Sequence, residues 1–294
     1  MSNTIFTGAC VALVTPFNDD YSVNYNKLEE LIEFQIANGT DAICACGTTG
    51  EASTLTLEEH DEVIKRTIEI VNGRVPVVAG TGSNDTAYGI ATSQRAQQMG
   101  ADALLLVTPY YNKTSQSGLV KHYQAMADSM DIPFIVYNVP GRTGMNITPA
   151  TVKELSKIPN VVAIKEASDN VGQVSQIAAT CDIDIYSGCD DLIVPIMSVG
   201  GKGVISVLSN VIPKETHEMA AACLSGDFAR ARELQLGYFD LCKALFADVN
   251  PVPVKAALNL MGFNVGPCRA PLYEITPAAL ETLKAALDAH GLLK

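Results

Sequence analysis

The stretch from residue 160 to residue 167 reads Asn160-Val161-Val162-Ala163-Ile164-Lys165-Glu166-Ala167. Its apolar, largely β-branched first half predicts a buried strand that ends at a lone lysine. A lysine at the end of an inner strand loses hydration, which disfavours its charged form. The neutral amine is a nucleophile toward ketones, so Lys165 is a candidate for Schiff-base catalysis. The alternative is a lysine that merely leaves the core at the end of a strand.

One pattern recurs up to about residue 210: a short apolar run is followed by a corner rich in Gly, Thr or Pro and then by a helix-like segment. We predict strands at Ala9–Val14, Ala42–Cys46, Val75–Ala79, Ala103–Val107, Pro133–Tyr137, Val161–Lys165, Ile183–Tyr186 and Gly203–Val207. Alternating strands and helices favour parallel pairing, and about eight such units are typical of an α/β fold of the (β/α)8 TIM barrel type. An open doubly wound sheet is the competing architecture, but its glycine-rich dinucleotide turn is not found after the first strand.

Beyond about residue 213 the strand pattern gives way to helical segments. We predict helices at Pro213–Leu224, Asp227–Phe246, Pro251–Leu260 and Pro277–Leu292. No low-complexity linker separates them from the barrel. We therefore expect a barrel over residues 1–224, with its active site at the strand C-termini, and a C-terminal helical subdomain over residues 225–294 packed on it.

The composition argues against several classes of protein. The formal net charge is −12 without a basic run, which argues against a nucleic-acid partner. Eight scattered cysteines without a CxxC pair are typical of a reduced, cytoplasmic protein, and no apolar stretch is long enough to span a membrane. The four histidines are far apart and lack metal-ligand spacing, so no metal site is expected.

The corners after the predicted strands carry the polar groups that would form an active site in such a barrel. Thr48 and Thr49 follow the second strand, Tyr111 follows the fourth, and Tyr137 closes the fifth ahead of Arg142. Each corner alone could be an ordinary turn or rim packing. Together with the lysine they bring an amine, phenols, hydroxyls and a guanidinium to one face, which is the equipment of a class I aldolase.

Six motifs resemble the dihydrodipicolinate synthase (4-hydroxy-tetrahydrodipicolinate synthase) family in order and spacing: GTTGE (47–51), GTGSN (80–84), PYYNK (109–113), YNVPGRTG (137–144), AIKEAS (163–168) and GVISV (203–207). The resemblance covers essentially the whole chain. It implies a (β/α)8 lyase that condenses pyruvate with L-aspartate 4-semialdehyde in the diaminopimelate route to lysine, with no metal or organic cofactor.

The resemblance also implies roles for the catalytic residues. Lys165 would be the Schiff-base lysine and Tyr137 the proton donor, with Thr48 and Tyr111 completing a proton relay. In the family the second tyrosine is lent by a neighbouring subunit, so Tyr111 implies a homodimer or homotetramer.

The remaining residues implied by the resemblance bind the substrates. Thr49 would hold the pyruvate carboxylate, the Ile205 backbone would line the same pocket, and Arg142 would bind the semialdehyde carboxylate. Gly188, in the corner after the seventh strand, is also predicted to bind substrate.

A regulatory site is implied as well. His60, Asn84 and Tyr110 match the positions at which lysine-inhibited members of the family bind lysine. Leu57 and Tyr88 replace a frequent His and a frequent Glu at that site, so we predict weak or absent sensitivity to lysine. The alternatives for the whole chain are another pyruvate-dependent aldolase of the N-acetylneuraminate lyase type and a catalytically silent barrel that binds a keto acid.

Overall fold

Eight parallel strands close into a barrel in the computed structural model, which describes residues 4–294. The strands are β1 (Gly8–Ala12), β2 (Ala42–Ala45), β3 (Val77–Gly80), β4 (Ala103–Val107), β5 (Phe134–Asn138), β6 (Val161–Glu166), β7 (Asp184–Ser187) and β8 (Gly203–Ser206). Each strand pairs with the next along the chain, and β1 pairs with β8 from Gly8 opposite Gly203. The predicted (β/α)8 TIM barrel is confirmed, and all eight strands lie close to their predicted positions.

Thirteen α-helices accompany the strands of the described residues. They are α1 (Tyr25–Ala37), α2 (Leu57–Val71), α3 (Thr86–Met99), α4 (Gln116–Ala127), α5 (Pro140–Thr143), α6 (Pro149–Leu155), α7 (Val171–Thr180), α8 (Ile193–Ser198), α9 (Pro213–Ser225), α10 (Phe228–Gly237), α11 (Phe239–Ala244), α12 (Val252–Leu260) and α13 (Pro277–Ala289). Local capping starts several of them. The Thr56 hydroxyl accepts from the Glu59 N–H and the Glu59 carboxylate accepts from the Thr56 N–H, which forms a capping box at the start of α2.

The helical prediction was wrong at one place in the C-terminal region. The segment predicted as one helix over Asp227–Phe246 is two helices, α10 and α11, which meet at Tyr238. Gly237 lies at the junction, and glycine is a poor residue for continuing a helix because its backbone loses the most freedom there. The short helices α5 and α8 were not predicted. Each contains a proline, and neither is long enough for a helical period to show.

The barrel wall separates two apolar layers. Alternate residues of the strands point inward, where side chains such as Ile135, Ala163 and Ile205 fill the barrel interior. Their neighbours in sequence, such as Val136 and Ile164, point outward and pack in the core beneath the helices. Both faces are therefore buried, which explains why the strands appear in the sequence as continuous apolar runs rather than alternating ones.

The C-terminal helices lie against the carboxyl-end loops of the barrel. The Phe17 N–H, in the loop after β1, donates to the Val265 carbonyl at 2.9 Å. The helices α11 and α12 each pack on α13, and all three share the outer apolar core. The division of the chain at residue 224 into a barrel and a subdomain stays a prediction.

Among residues 4–294, no helix combines the length and the apolar character needed to cross a lipid bilayer.

His122 gives the fold a measurable pH dependence. Its Nδ1 lies 2.9 Å from the Thr86 hydroxyl, which ties α4 to α3, and its buried Nε2 has no hydrogen-bond partner among the described residues. Burial lowers the pKa of His122 below its ordinary value. The unfolded chain therefore binds a proton at this histidine before the folded chain does. The resulting contribution to stability is lost as pH falls below about 6.5, the usual histidine pKa.

We expect the His122→Gln variant to lose less thermal stability than the parent protein between pH 7.5 and pH 5.5. Glutamine keeps a polar partner for Thr86 and removes the titrating group. The measurement is Tm by circular dichroism across that range. The same pH slope in both proteins would show that His122 does not contribute to acid destabilisation.

Candidate functional site

Lys165 and Tyr137 lie side by side at the carboxyl end of the barrel. They are directly opposite each other in the β5–β6 register, and both side chains point inward. The Lys165 Nζ lies 4.3 Å from the centroid of the Tyr137 ring. Both residues are buried, with 6% and 7% of their surfaces exposed. The amine and the phenol predicted from separate stretches of sequence are therefore neighbours in space.

Within residues 4–294, Lys165 belongs to no ion pair, whereas a second buried lysine, Lys255, is paired with Glu51 at 2.8 Å.

Gly188 leaves space for the Lys165 side chain. A Cβ added to Gly188 would lie 2.7 Å from the Ala167 Cβ and 3.1 Å from the Lys165 Cε. The absence of a side chain at residue 188 therefore leaves the lysine space to reach into the cavity.

A hydrogen-bonded group outside the barrel holds this pair in place. Asn138 and Glu166, the residues after Tyr137 and Lys165, are also opposite in register and point outward. The Asn138 amide donates to the Glu166 carboxylate at 3.0 Å, and the Gln173 amide donates to it at the same distance. Burial raises the pKa of Glu166, and these hydrogen bonds partly oppose that rise.

The threonine turn, residues 47–51, borders the same space. It follows β2 and presents Thr48 to the cavity, while the Thr49 side chain is buried. The Thr49 hydroxyl accepts a hydrogen bond from the Asn250 amide at 3.0 Å. The Thr48 carbonyl accepts from the Glu51 N–H, which closes the turn.

Arg142 approaches from the next wall of the cavity. It lies on the short helix α5, which begins at Pro140 and ends at Gly144 with a left-handed φ of 68°. One guanidinium nitrogen donates to the Asn250 carbonyl at 3.2 Å. Because this is the one hydrogen bond that the guanidinium makes among the described residues, its other N–H groups remain available to bind a carboxylate.

Asn250 was missed by the sequence analysis. It precedes α12, outside the barrel, and its backbone and side chain contact Arg142 and Thr49. Its buried Oδ1 has no hydrogen-bond partner among the described residues. Asn250 does not follow a strand, so the pattern of polar residues after strands does not include it. The signal that could have found Asn250 is a polar residue at the start of an otherwise apolar, proline-rich segment.

Asp190 is a second cavity residue for which no role was predicted. It lines the cavity after β7, and one carboxylate oxygen accepts from the Val207 and Leu208 N–H groups at 3.0 and 2.9 Å. Burial raises the pKa of Asp190, while these hydrogen bonds and the charge of Lys165 act in the opposite direction. The carboxylate therefore ties the loop after β8 to the wall beside the lysine.

A cavity of about 1140 Å³ opens at this end of the barrel. Eight of the predicted residues line it: Lys165, Tyr137, Thr48, Thr49, Arg142, Gly188, His60 and Tyr110. Ile205 lies on β8 in the packed barrel interior and is not part of the lining. Within the described part of the chain, no group of three His, Cys, Asp or Glu side chains is arranged to hold a metal ion.

Tyr111 does not reach this cavity within its own chain. It is 92% exposed and has a left-handed backbone with a φ of 67°, which is unusual for a residue with a side chain. Its neighbour Tyr110 lines the cavity mouth. The Asn84 amide donates to the Tyr110 carbonyl at 3.2 Å, so Asn84 contacts the mouth from outside.

Comparison with known proteins covers nearly the whole chain. The model of the dihydrodipicolinate synthetase family matches residues 5–290. The 4-hydroxy-tetrahydrodipicolinate synthase of Acetivibrio thermocellus is 56% identical, with 100% of both chains covered. Two crystal structures are also similar. One is the chloride-inhibited dihydrodipicolinate synthase from Acinetobacter baumannii complexed with pyruvate, which has a TM-score of 0.96, 43% identity and coverage of 99% of this chain and 100% of that one.

The other is the dihydrodipicolinate synthase from Cyanidioschyzon merolae with lysine bound. It has a TM-score of 0.95 and 42% identity, with 98% of this chain and 99% of that one covered. Sequence and structure agree over the barrel and over the C-terminal helices alike. The chain belongs to the dihydrodipicolinate synthetase family.

Proposed function

We propose that this protein is a lyase that condenses pyruvate with L-aspartate 4-semialdehyde to 4-hydroxy-tetrahydrodipicolinate, in the diaminopimelate route to lysine. The observation that carries the proposal is the buried Lys165 amine, which has no ion pair among residues 4–294 and lies beside Tyr137, in a cavity that also presents Thr49 and Arg142. The name of the Acetivibrio relative and the pyruvate in the Acinetobacter structure support it. We propose a cytoplasmic location, as suits a biosynthetic enzyme.

The proposed reaction begins with attack of the Lys165 amine on the keto carbon of pyruvate. Water leaves, and a protonated imine forms. Loss of a proton from the pyruvate methyl group gives an enamine, whose terminal carbon attacks the aldehyde carbon and forms the new carbon–carbon bond. The amino group of the semialdehyde then attacks the imine carbon, which closes the ring and returns Lys165 as a free amine. No oxidant or reductant is needed at any step.

The polar neighbours supply proton transfer and binding. Tyr137, next to the amine, donates and accepts the protons of these steps. Thr49 binds the pyruvate carboxylate, and Gly188 leaves room beside Lys165 for the bound pyruvate. Arg142 binds the semialdehyde carboxylate with its free N–H groups.

Thr48 and Tyr111 complete the proton relay in this proposal, and Tyr111 is lent by a second copy of the chain in a homodimer or homotetramer. The position of Tyr111 supports this. Its side chain is almost fully exposed in the loop after β4 and does not line its own cavity. If the Tyr111 hydroxyl lay buried in the cavity of its own chain, the relay would not need a second chain.

Lys165 is expected to carry a single pyruvyl adduct after incubation with pyruvate and borohydride. Intact-protein mass spectrometry with peptide mapping measures it. The Lys165→Met variant should give no adduct and no condensation, whereas Lys202→Met, a change at an exposed lysine outside the cavity, should behave as the parent. An adduct on another lysine would refute the assignment of the nucleophile.

The Arg142→Ala variant is expected to raise the KM for the semialdehyde and lower kcat, while the pyruvyl adduct still forms. Loss of hydrogen bonds to a charged group costs roughly 1.5–3 kcal/mol, or about a tenfold to hundredfold drop in kcat/KM. Arg142→Lys is the matched control because it keeps the charge and loses the paired hydrogen-bond geometry. Its KM for the semialdehyde and its kcat should lie between those of the parent and those of Arg142→Ala. Unchanged semialdehyde kinetics in Arg142→Ala would count against this role.

Lysine is expected to inhibit weakly or not at all. We propose that His60, Asn84 and Tyr110 form the remnant of a regulatory site, at which exposed Leu57 and Tyr88 supply no charged partner for the lysine amino group. The lysine in the Cyanidioschyzon structure supports the comparison. Micromolar inhibition of the parent protein in a steady-state assay would contradict this prediction.

The same prediction can be tested by restoring the charge. Tyr88→Glu should bind lysine about tenfold to a hundredfold more tightly than the parent, because a charged hydrogen bond contributes roughly 1.5–3 kcal/mol. Tyr88→Gln is the matched control, since it offers a polar group of the same length without a charge. Equal effects of the two variants would show that charge at residue 88 is not what sets the sensitivity.

A further inference from the structure

We propose that the buried ion pair between Glu51 and Lys255 positions the threonine turn for pyruvate binding. Glu51 and Lys255 would then be positioning residues that act through Thr48 and Thr49. This inference rests on the proposed function of those two threonines. It assigns to the C-terminal helices a part in the active site, because Lys255 lies on α12.

Glu51 closes the threonine turn in a conformation that needs external support. Its backbone is left-handed, with a φ of 55°, and this costs free energy for a residue with a Cβ. Its N–H donates to the Thr48 carbonyl at 3.1 Å, so the backbone of Thr48 follows the orientation of Glu51. A contact that fixes the Glu51 side chain therefore also fixes the turn.

Lys255 supplies that contact from a buried position. It is 1% exposed, and its Nζ donates to the Glu51 carboxylate at 2.8 Å, to the Thr15 carbonyl at 3.1 Å and to the Pro267 carbonyl at 2.5 Å. These three acceptors use all three ammonium N–H groups. Burial lowers the pKa of Lys255, and Glu51 opposes that shift. Unlike Lys165, this lysine has no donor left for a ligand.

Further bonds hold the same turn on both sides. The second Glu51 oxygen accepts from the Arg269 N–H at 2.8 Å, and the Arg269 guanidinium pairs with Glu59 at the start of α2. The Thr15 hydroxyl donates to the Gly50 carbonyl at 2.6 Å. The backbone before and after Thr49 is thus fixed by contacts that converge on the ion pair.

A stabilising role alone explains this arrangement poorly. Burying two charges costs about as much free energy as their attraction returns, so a buried ion pair is weak support for stability compared with apolar packing. It does fix geometry, because a carboxylate and an ammonium with several defined partners have few alternative positions. The Thr49 hydroxyl is held from the same C-terminal segment as Lys255, because it accepts a hydrogen bond from Asn250.

The test uses the double variant Glu51→Gln/Lys255→Met, which keeps the side-chain lengths and removes both charges together. The readout is the pyruvate concentration that gives half-maximal borohydride-trapped adduct on Lys165. We expect it to rise roughly tenfold to a hundredfold, the scale on which misplacement of binding groups by about 1 Å acts. The adduct should still form on Lys165 at saturating pyruvate. In steady-state assays the KM for pyruvate should rise more than the KM for the semialdehyde, because the Arg142 guanidinium is hydrogen-bonded to the Asn250 carbonyl and not to Glu51 or Lys255.

The matched control is Leu283→Ala on α13, a buried residue of the same helical region that is not part of the turn contacts. It should lower Tm and leave the pyruvate dependence of trapping unchanged. An unchanged pyruvate dependence in the folded double variant would overturn the inference, as would an equal shift in Leu283→Ala. If the double variant does not fold, Glu51→Gln alone decides by the same criterion.

A parent protein that gives no adduct overturns the proposed function and this inference with it. If the parent protein forms the pyruvyl adduct and the double variant shows the same pyruvate dependence, only this inference is overturned and the proposed function stands.

Discussion

The register between β5 and β6 is the constraint on which the rest of the site depends. It sets Tyr137 opposite Lys165 inside the barrel and Asn138 opposite Glu166 outside it. Because side chains alternate along a strand, a slip of β6 by one residue would turn Lys165 outward and place the Glu166 carboxylate in the cavity. The hydrogen bonds of Glu166 with Asn138 and Gln173 favour the observed register from the outer side. The same register therefore sets both the Asn138–Glu166 pair beneath the helices and the Tyr137–Lys165 pair in the cavity.

The C-terminal helices complete the site as well as covering the barrel. Asn250 contacts Thr49 and Arg142, and Lys255 contacts the threonine turn. Active sites of such barrels are built from loops at the strand ends, and these loops have no regular structure of their own. Contacts from a packed helical region restrict their motion. Thr49 and Arg142 are therefore held by the barrel wall on one side and by the C-terminal segment on the other.

Much of this could be predicted from the sequence because the signals were local. The apolar runs gave strand positions, and the polar residues directly after them gave Lys165, Tyr137, Thr48, Thr49 and Arg142. Asn250 and Lys255 could not be found in this way. Their roles depend on a helix returning to the barrel mouth from more than two hundred residues along the chain, which the spacing of apolar residues does not encode. Tyr111 is a different case, because its side chain is 92% exposed and the role proposed for it involves a second copy of the chain.

The pairing of β1 with β8 has a consequence for how the protein is made. Gly8 finds its partner only at Gly203, so the first strand emerges from the ribosome long before the strand that closes the barrel beside it. Contacts between such distant parts of a chain form slowly because the loop between them must first be ordered. Asn250, Lys255 and Arg269 emerge later still, since synthesis proceeds from the N-terminus. The cavity therefore acquires these three polar partners only after all eight strands have been synthesised, and a nascent barrel contains Lys165 before it contains the residues that hold the threonine turn.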